Sequence, residues 1–145
     1  MQHALDLAVV ARSQGEVPVG AVVIDDNQCI IGSGWNHVRQ WHDPTAHAEI
    51  LAVRAAAQTQ NTERLNNATL YVTLEPCCMC AGALIHARVR RLVFATRDLK
   101  SGAAGSIYNL LSGNGLNHTV QVDDGPLQRE CAALLSDFFH QLRAS

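Results

Sequence analysis

Apolar positions along the chain change their period several times, and each change marks an element. Met1, Ala4, Leu5, Ala8, Val9 and Ala11 recur at helical spacing, and Gly15 offers a stop ahead of Pro18, so a first helix is predicted. The runs VGAVVID (19–25) and QCIIGSGW (28–35) are strand-like and meet at Asp25, Asp26 and Asn27, good turn chemistry. They predict an antiparallel hairpin. The stretch 43–58, DPTAHAEILAVRAAAQ, offers Asp43 or Thr45 as an N-cap, Pro44 at a helix start and an alanine-rich body. A second helix is therefore predicted to open around His47 and Glu49.

Beyond it, ATLYVTL (68–74) predicts a buried strand, CAGALIHA (80–87) a short helix, VRRLVFAT (89–96) another strand and HTVQV (118–122) a weaker one. Gly102, Gly105, Gly113 and Gly115 mark the loops between. Cys131, Leu134, Leu135, Phe138, Phe139 and Leu142 form a stripe at helical spacing, which predicts a final amphipathic helix. Helices alternating with strands after one hairpin imply an α/β protein: a mixed sheet of about five strands between helical layers.

The length of 145 residues suits one domain over 1–145, since a fold of this size removes roughly 70% of its unfolded surface from water. With 48% hydrophobic and 17% charged residues and no biased tract, the composition excludes a disordered or fibrous chain. The first residues lack the pattern of a signal peptide, and no segment carries the roughly 18 apolar residues of a membrane span. A cytoplasmic location is expected, with no membrane partner. In that reducing compartment, five cysteines, an odd number, are read as metal ligands or catalytic groups before disulfides. Cys29 and Cys131 fall at apolar positions and are expected to be buried structural thiols.

The net charge of −2 says little about partners, but Arg88, Arg90, Arg91, Arg97 and Lys100 crowd one window that holds a single acid, Asp98. That window is either a solvated strand face or a phosphate-contacting patch.

Three cysteines stand within LEPCCMC (74–80). A strand followed by PCCMC, and a loop followed by HAE, each place polar atoms at a helix N-terminus, where backbone N–H groups favour the thiolate form of Cys77. Cys80, three positions on, shares its helical face. With the His47 imidazole, the two thiolates make three ligands that suit zinc, and three protein ligands leave a fourth position open to water, as catalytic zinc sites do. Such a site lowers the pKa of water to about 7. Glu49, two residues after His47, does not share its helical face, so its carboxylate is assigned to proton transfer at the water and the substrate rather than to the metal. Cys78, next to Cys77, is expected to point off the ligand face and pack. A closed structural zinc module, with Cys78 or another group as fourth ligand, is the alternative.

His47-Ala48-Glu49 followed by PCCMC (76–80) matches the H-x-E and P-C-x-x-C signature of the zinc-dependent nucleobase deaminases. The segments VPVGAV, GWN, DPTAHAEI, TLYVTLEPC, MCAGA, GAAGS and ECAALLSDFF further resemble the bacterial branch of that family that edits transfer RNA. The resemblance covers nearly the whole chain. It implies a cytidine-deaminase-like three-layer α/β/α sandwich, a homodimer with one zinc per subunit, and conversion of adenosine to inosine at the wobble position of a tRNA anticodon stem-loop. The target base is flipped out, and Glu49 passes a proton to the ring nitrogen and then to the leaving amine.

The resemblance also assigns substrate contacts. Asn36 matches a residue that hydrogen-bonds the target nucleotide, although by itself it suits a turn. Ala48 sits where a backbone N–H meets the base, and Val17, Pro18 and Val19 where the pocket wall stands. Asp98, Lys100 and the GAAGS loop resemble the stretch against the flanking anticodon nucleotides. Phe138 and Phe139 are core residues by periodicity, one of which can stack on a neighbouring base as in the family. A deaminase of a free base or nucleoside uses a related signature; GAAGS, GWN and the arginine-rich segment favour a polynucleotide.

Overall fold

The computed structural model describes residues 1–112 and 115–144. Along them run α1 (Gln2–Ser13), β1 (Gly20–Ile24), β2 (Ile30–Trp35), α2 (Ala48–Gln60), β3 (Thr69–Leu74), α3 (Cys78–His86), β4 (Arg91–Thr96), β5 (Gln121–Asp124) and α4 (Gln128–Ala144). The strands form one sheet in the order β2-β1-β3-β4-β5. β1 runs antiparallel to both β2 and β3, while β4 and β5 add in parallel. One face carries α1 and α4 and the other α2 and α3, so the mixed sheet between helical layers is as predicted.

Small residues bring these layers together. Ala21 and Val23 pair with Gly34 and Gly32, and all four face α2, whose Ala48, Ala52 and Ala56 are buried at a spacing of four. A Cβ added to Gly32 would lie 2.4 Å from the Ala52 carbonyl oxygen, and one on Gly34 would lie 2.8 Å from Leu51 Cβ. Helix and strand backbones thus nearly touch. On the opposite face Gly20 meets α1 in the same way, under Ala4 and Ala8. The centre is filled by Leu70 and Val72 of β3, Leu92 and Phe94 of β4, and Leu84 of α3, all fully buried. This tight seam fixes the first turn of α2 against the end of the hairpin.

Several elements depart from the predicted bounds. The N-cap of α2 is His47, not Asp43 or Thr45, because the Asp43 carboxylate accepts bonds from the Thr45 backbone N–H (2.9 Å) and hydroxyl (2.7 Å), closing a turn ahead of the helix. Pro44 lies in that turn. β5 begins at Gln121, later than the predicted 118, and His118 instead reaches the Val89 carbonyl oxygen (2.8 Å). Cys131 is buried as predicted, but Cys29 is exposed: β2 starts one residue later, and Cys29 sits in the hairpin turn with its N–H on the Asp25 carboxylate. The stripe on α4 is narrower than its sequence period, burying Cys131, Leu135 and Phe138 while Phe139 and Leu142 face outward. That helix covers β4 and β3 along one seam only. Gly113 lies outside the described residues. Among the described residues no helix is long and apolar enough to cross a membrane.

Candidate active site

α2 and α3 start at the same end of the sheet, and each is preceded by an extended N-cap residue, His47 and Cys77. Neither side chain caps its own helix, so both are free to meet across the gap. His47 Nδ1 lies 3.4 Å from Cys80 Sγ and 3.7 Å from Cys77 Sγ. The three donor atoms fall within 4.8 Å of one another. Zinc bonds of about 2.3 Å to sulfur and 2.0–2.1 Å to nitrogen put tetrahedral neighbours about 3.6 Å apart. The donor set therefore fits zinc in kind and in spacing.

The charges are arranged to match. The bond from Cys80, with further help from His47, pulls the Cys77 thiol down to about 4, the thiolate a metal requires. The Cys77 contact raises His47, and the neighbouring Cys77 together with burial raises Cys80. Glu49 is 4% exposed, and burial pushes its carboxyl up to about 7. It lines the same cavity as His47 and Cys77, a space of about 260 Å³ closed by Val17, Val19, Asn36, Val38, Leu74 and Asp98. At the small end of ligand cavities, that volume suits a single base.

The other predicted contacts separate into those at the cavity and those away from it. Asn36 lines it, and its amide oxygen accepts the Ala48 N–H at 2.8 Å, so that N–H is already engaged. Val17 forms wall, whereas Pro18 is fully buried behind it. Asp98 stands at the rim with its carboxylate turned onto the backbone N–H groups of Lys100 and Ser101; Lys100 is exposed and does not line the cavity. Phe138 and Phe139 pair edge to face with ring centroids 5.4 Å apart, the first buried under α4 and the second exposed, and neither borders the cavity. Cys78 is exposed and outside the ligand group, not packed, because the first turn of α3 faces outward there. Within the basic window, Arg91 pairs with Asp123 (2.8 Å) and Arg97 with Asp124 (3.2 Å), so acids of β5 neutralise two of its five cations.

Two carboxylates that build the walls escaped the sequence analysis. Glu75, 2% exposed, accepts the backbone N–H groups of Asp98 (3.0 Å), Ala104 (2.9 Å) and Ser106 (3.1 Å) and the Ser106 hydroxyl, holding the 98–106 loop over the cavity. Glu16, 1% exposed, accepts those of Arg39 (3.1 Å) and Gln40 (2.7 Å) on the other side. The one available signal was a lone acid in each otherwise apolar frame, TLEPC and EVPVGAV.

An open three-donor metal site beside a buried carboxylate, at the strand ends of a mixed sheet, defines a metal-dependent hydrolytic enzyme. Residues 1–96 match the model of the cytidine and deoxycytidylate deaminase zinc-binding region, and the chain belongs to that family of deaminases, with zinc as its cofactor. Among its relatives is the tRNA-specific adenosine deaminase of Haemophilus influenzae, 52% identical over 99% of this chain and 83% of that protein. The enzyme of the same name from Bacillus subtilis is 43% identical over 99% and 88%. A solved structure from work on A-to-I editing by tRNA:A34 deaminases at the wobble position superposes with a TM-score of 0.89, at 42% identity, over 93% of this chain and 97% of that one. Guanine deaminase from Nitrosomonas europaea superposes with a TM-score of 0.81 at 29% identity, over 94% and 81%.

Proposed function

We propose that the protein hydrolyses adenosine to inosine at the wobble position of a tRNA anticodon stem-loop. The observation that carries this reading is the buried Glu49 in a base-sized cavity beside the His47, Cys77 and Cys80 donors; relatives named tRNA-specific adenosine deaminase at up to 52% identity supply the substrate. His47 Nδ1 and the Cys77 and Cys80 sulfurs would hold the zinc, which would supply Lewis acidity to activate a water near neutral pH. Glu49 carries the protons: its oxygen takes one from the attacking water, gives it to the purine ring nitrogen, and later delivers one to the departing amine. One C–O bond forms at C6, one C–N bond breaks, and ammonia leaves. With its carboxyl near 7, Glu49 both accepts and donates at working pH. Asn36 and Val17 position the base, and Asp98 shapes the rim toward flanking nucleotides.

Two further parts belong to the proposal. The subunits are proposed to pair as a homodimer, a reading supported by the exposed Leu99, Ile107 and Tyr108 in and beside the 98–106 loop; the expected outcome of sedimentation is a mass of two chains. A cytoplasmic location is part of the same proposal, in keeping with five unpaired thiols, and cell fractionation is the measurement that checks it. The activity test incubates zinc-loaded protein with a stem-loop bearing a wobble adenosine, beside free adenosine, cytosine and guanine, and quantifies inosine and ammonia. The expected result is inosine in the stem-loop alone, lost in a Glu49→Ala protein that keeps its zinc. Ammonia from free guanine alone would make the protein a guanine deaminase, the name the Nitrosomonas europaea neighbour carries.

A further inference from the structure

The connection between β2 and α2 carries a run of three rings that the deamination chemistry does not use. Trp35, the last residue of β2, lies with its ring 4.9 Å from that of His37, and His37 stacks on Trp41 at 4.2 Å and 27°. The stack is anchored through its first two rings. His37 Nδ1 lies 2.7 Å from the Trp35 carbonyl oxygen, which only accepts, so Nδ1 carries a hydrogen and the ring plane is set. Trp35 Nε1–H donates to Gln14 at 2.9 Å. The backbone beneath is pinned as well: His37 N–H to Ala46, Trp41 N–H to His37, Asp43 N–H to Val38, and the Glu16 carboxylate on Arg39 and Gln40.

Trp41, placed by its backbone bond to His37 and by its stack on the His37 ring, is nonetheless 52% exposed, an unusual place to leave a tryptophan open to water. The shelf adjoins the cavity, since Asn36 on one side of His37 and Val38 and Arg39 on the other are all cavity lining. That cavity admits one base, so the neighbouring bases of a polynucleotide remain outside on its rim. Rings in a pre-set stack offer a π-face that any base can extend, at little ordering cost because the protein has already fixed the plane. Arg39 beside it is exposed; its guanidinium donates to the Gly15 carbonyl oxygen at 3.1 Å, and its remaining N–H groups suit a phosphate.

We propose that His37 and Trp41 form a stacking shelf for a base of single-stranded RNA next to the base that enters the cavity. This rests on the proposed function and adds the binding subsite that gives it a polynucleotide substrate. The chain has two tryptophans, Trp35 and Trp41, so intrinsic fluorescence reports on the shelf directly.

The test titrates zinc-loaded Glu49→Ala protein with the wobble-adenosine stem-loop while reading tryptophan emission, and measures kcat and KM in the Glu49 background. The expected result is quenching by RNA that largely disappears in Trp41→Leu, with KM raised about five- to a hundredfold and kcat moved far less. Trp41→Phe keeps a ring in the stack and restores KM, which separates stacking from mere folding. Wild-type quenching and KM in Trp41→Leu would overturn the shelf while leaving the deaminase reading intact. Emission that follows protein concentration rather than RNA would also overturn it, assigning Trp41 to a contact with a second copy. Quenching by the stem-loop without any inosine formation in the wild type would uphold the shelf and sink the proposed function instead.

Discussion

At the scale of single residues, the buried carboxylates divide into two kinds. Both Glu49 and Glu75 line the cavity, but Glu75 is taken up by three N–H groups and one hydroxyl of the 98–106 loop, whereas Glu49 stands beside the His47, Cys77 and Cys80 donors, where proton transfer is proposed. Glu75→Gln replaces one accepting oxygen with an NH2 that points at donors. It is expected to lower stability by about 1–3 kcal/mol. The amides of Ala104 and Ser106 then exchange with deuterium faster than in the wild type, and unchanged exchange would remove Glu75 from the loop's support. Among the thiols, Cys80→Ala is expected to lose bound zinc and Cys78→Ala to keep it, since Cys78 stands outside the donor group; metal analysis of the purified proteins decides. The ligands were legible in the sequence because metal chemistry demands particular residue types at short spacings. Glu75 and Glu16 were not, because they serve backbone N–H groups whose convergence exists only in the folded chain. For the same reason the ring stack of Trp35, His37 and Trp41 left no mark in the sequence period.

At the scale of elements, helix and strand positions followed from apolar period, while helix starts did not always. Asp43, a good capping residue, was used one turn too early by its bonds to Thr45, and the cap passed to His47. The glycines separate by what stands over them. Gly32→Ala drives a Cβ into the α2 backbone and is expected to cost about 1–3 kcal/mol in chemical denaturation, as overpacking does. Gly82→Ala, inside α3 with nothing within 4 Å, is expected to gain about 0.5–1 kcal/mol from helix propensity. Between β4 and β5, the Arg91 guanidinium holds the Asp123 carboxyl below its usual range. A carboxyl with a lowered folded pKa lends stability above its unfolded value, about 3.9, and loses it as pH falls through the folded one. Asp123→Asn therefore melts below the wild type at neutral pH. The gap closes in acid, and also in about 1 M salt, which screens an exposed pair.

At the scale of the molecule, the sheet order was not legible: alternation of elements implies layers, but only pairing shows β1 standing between β2 and β3. That placement decides how the site is assembled. His47 follows the β1–β2 hairpin, which is local in sequence, while Cys77 and Cys80 follow β3, which pairs with β1 from the far side. The first 60 residues, which carry the hairpin and α2, hold one donor of three. Metal capture has to wait until β3 has docked and α3 has begun. Zinc then joins the earlier and later halves of the chain like a clasp, and a ribosome-bound nascent chain acquires its metal only once the centre of the sheet is closed.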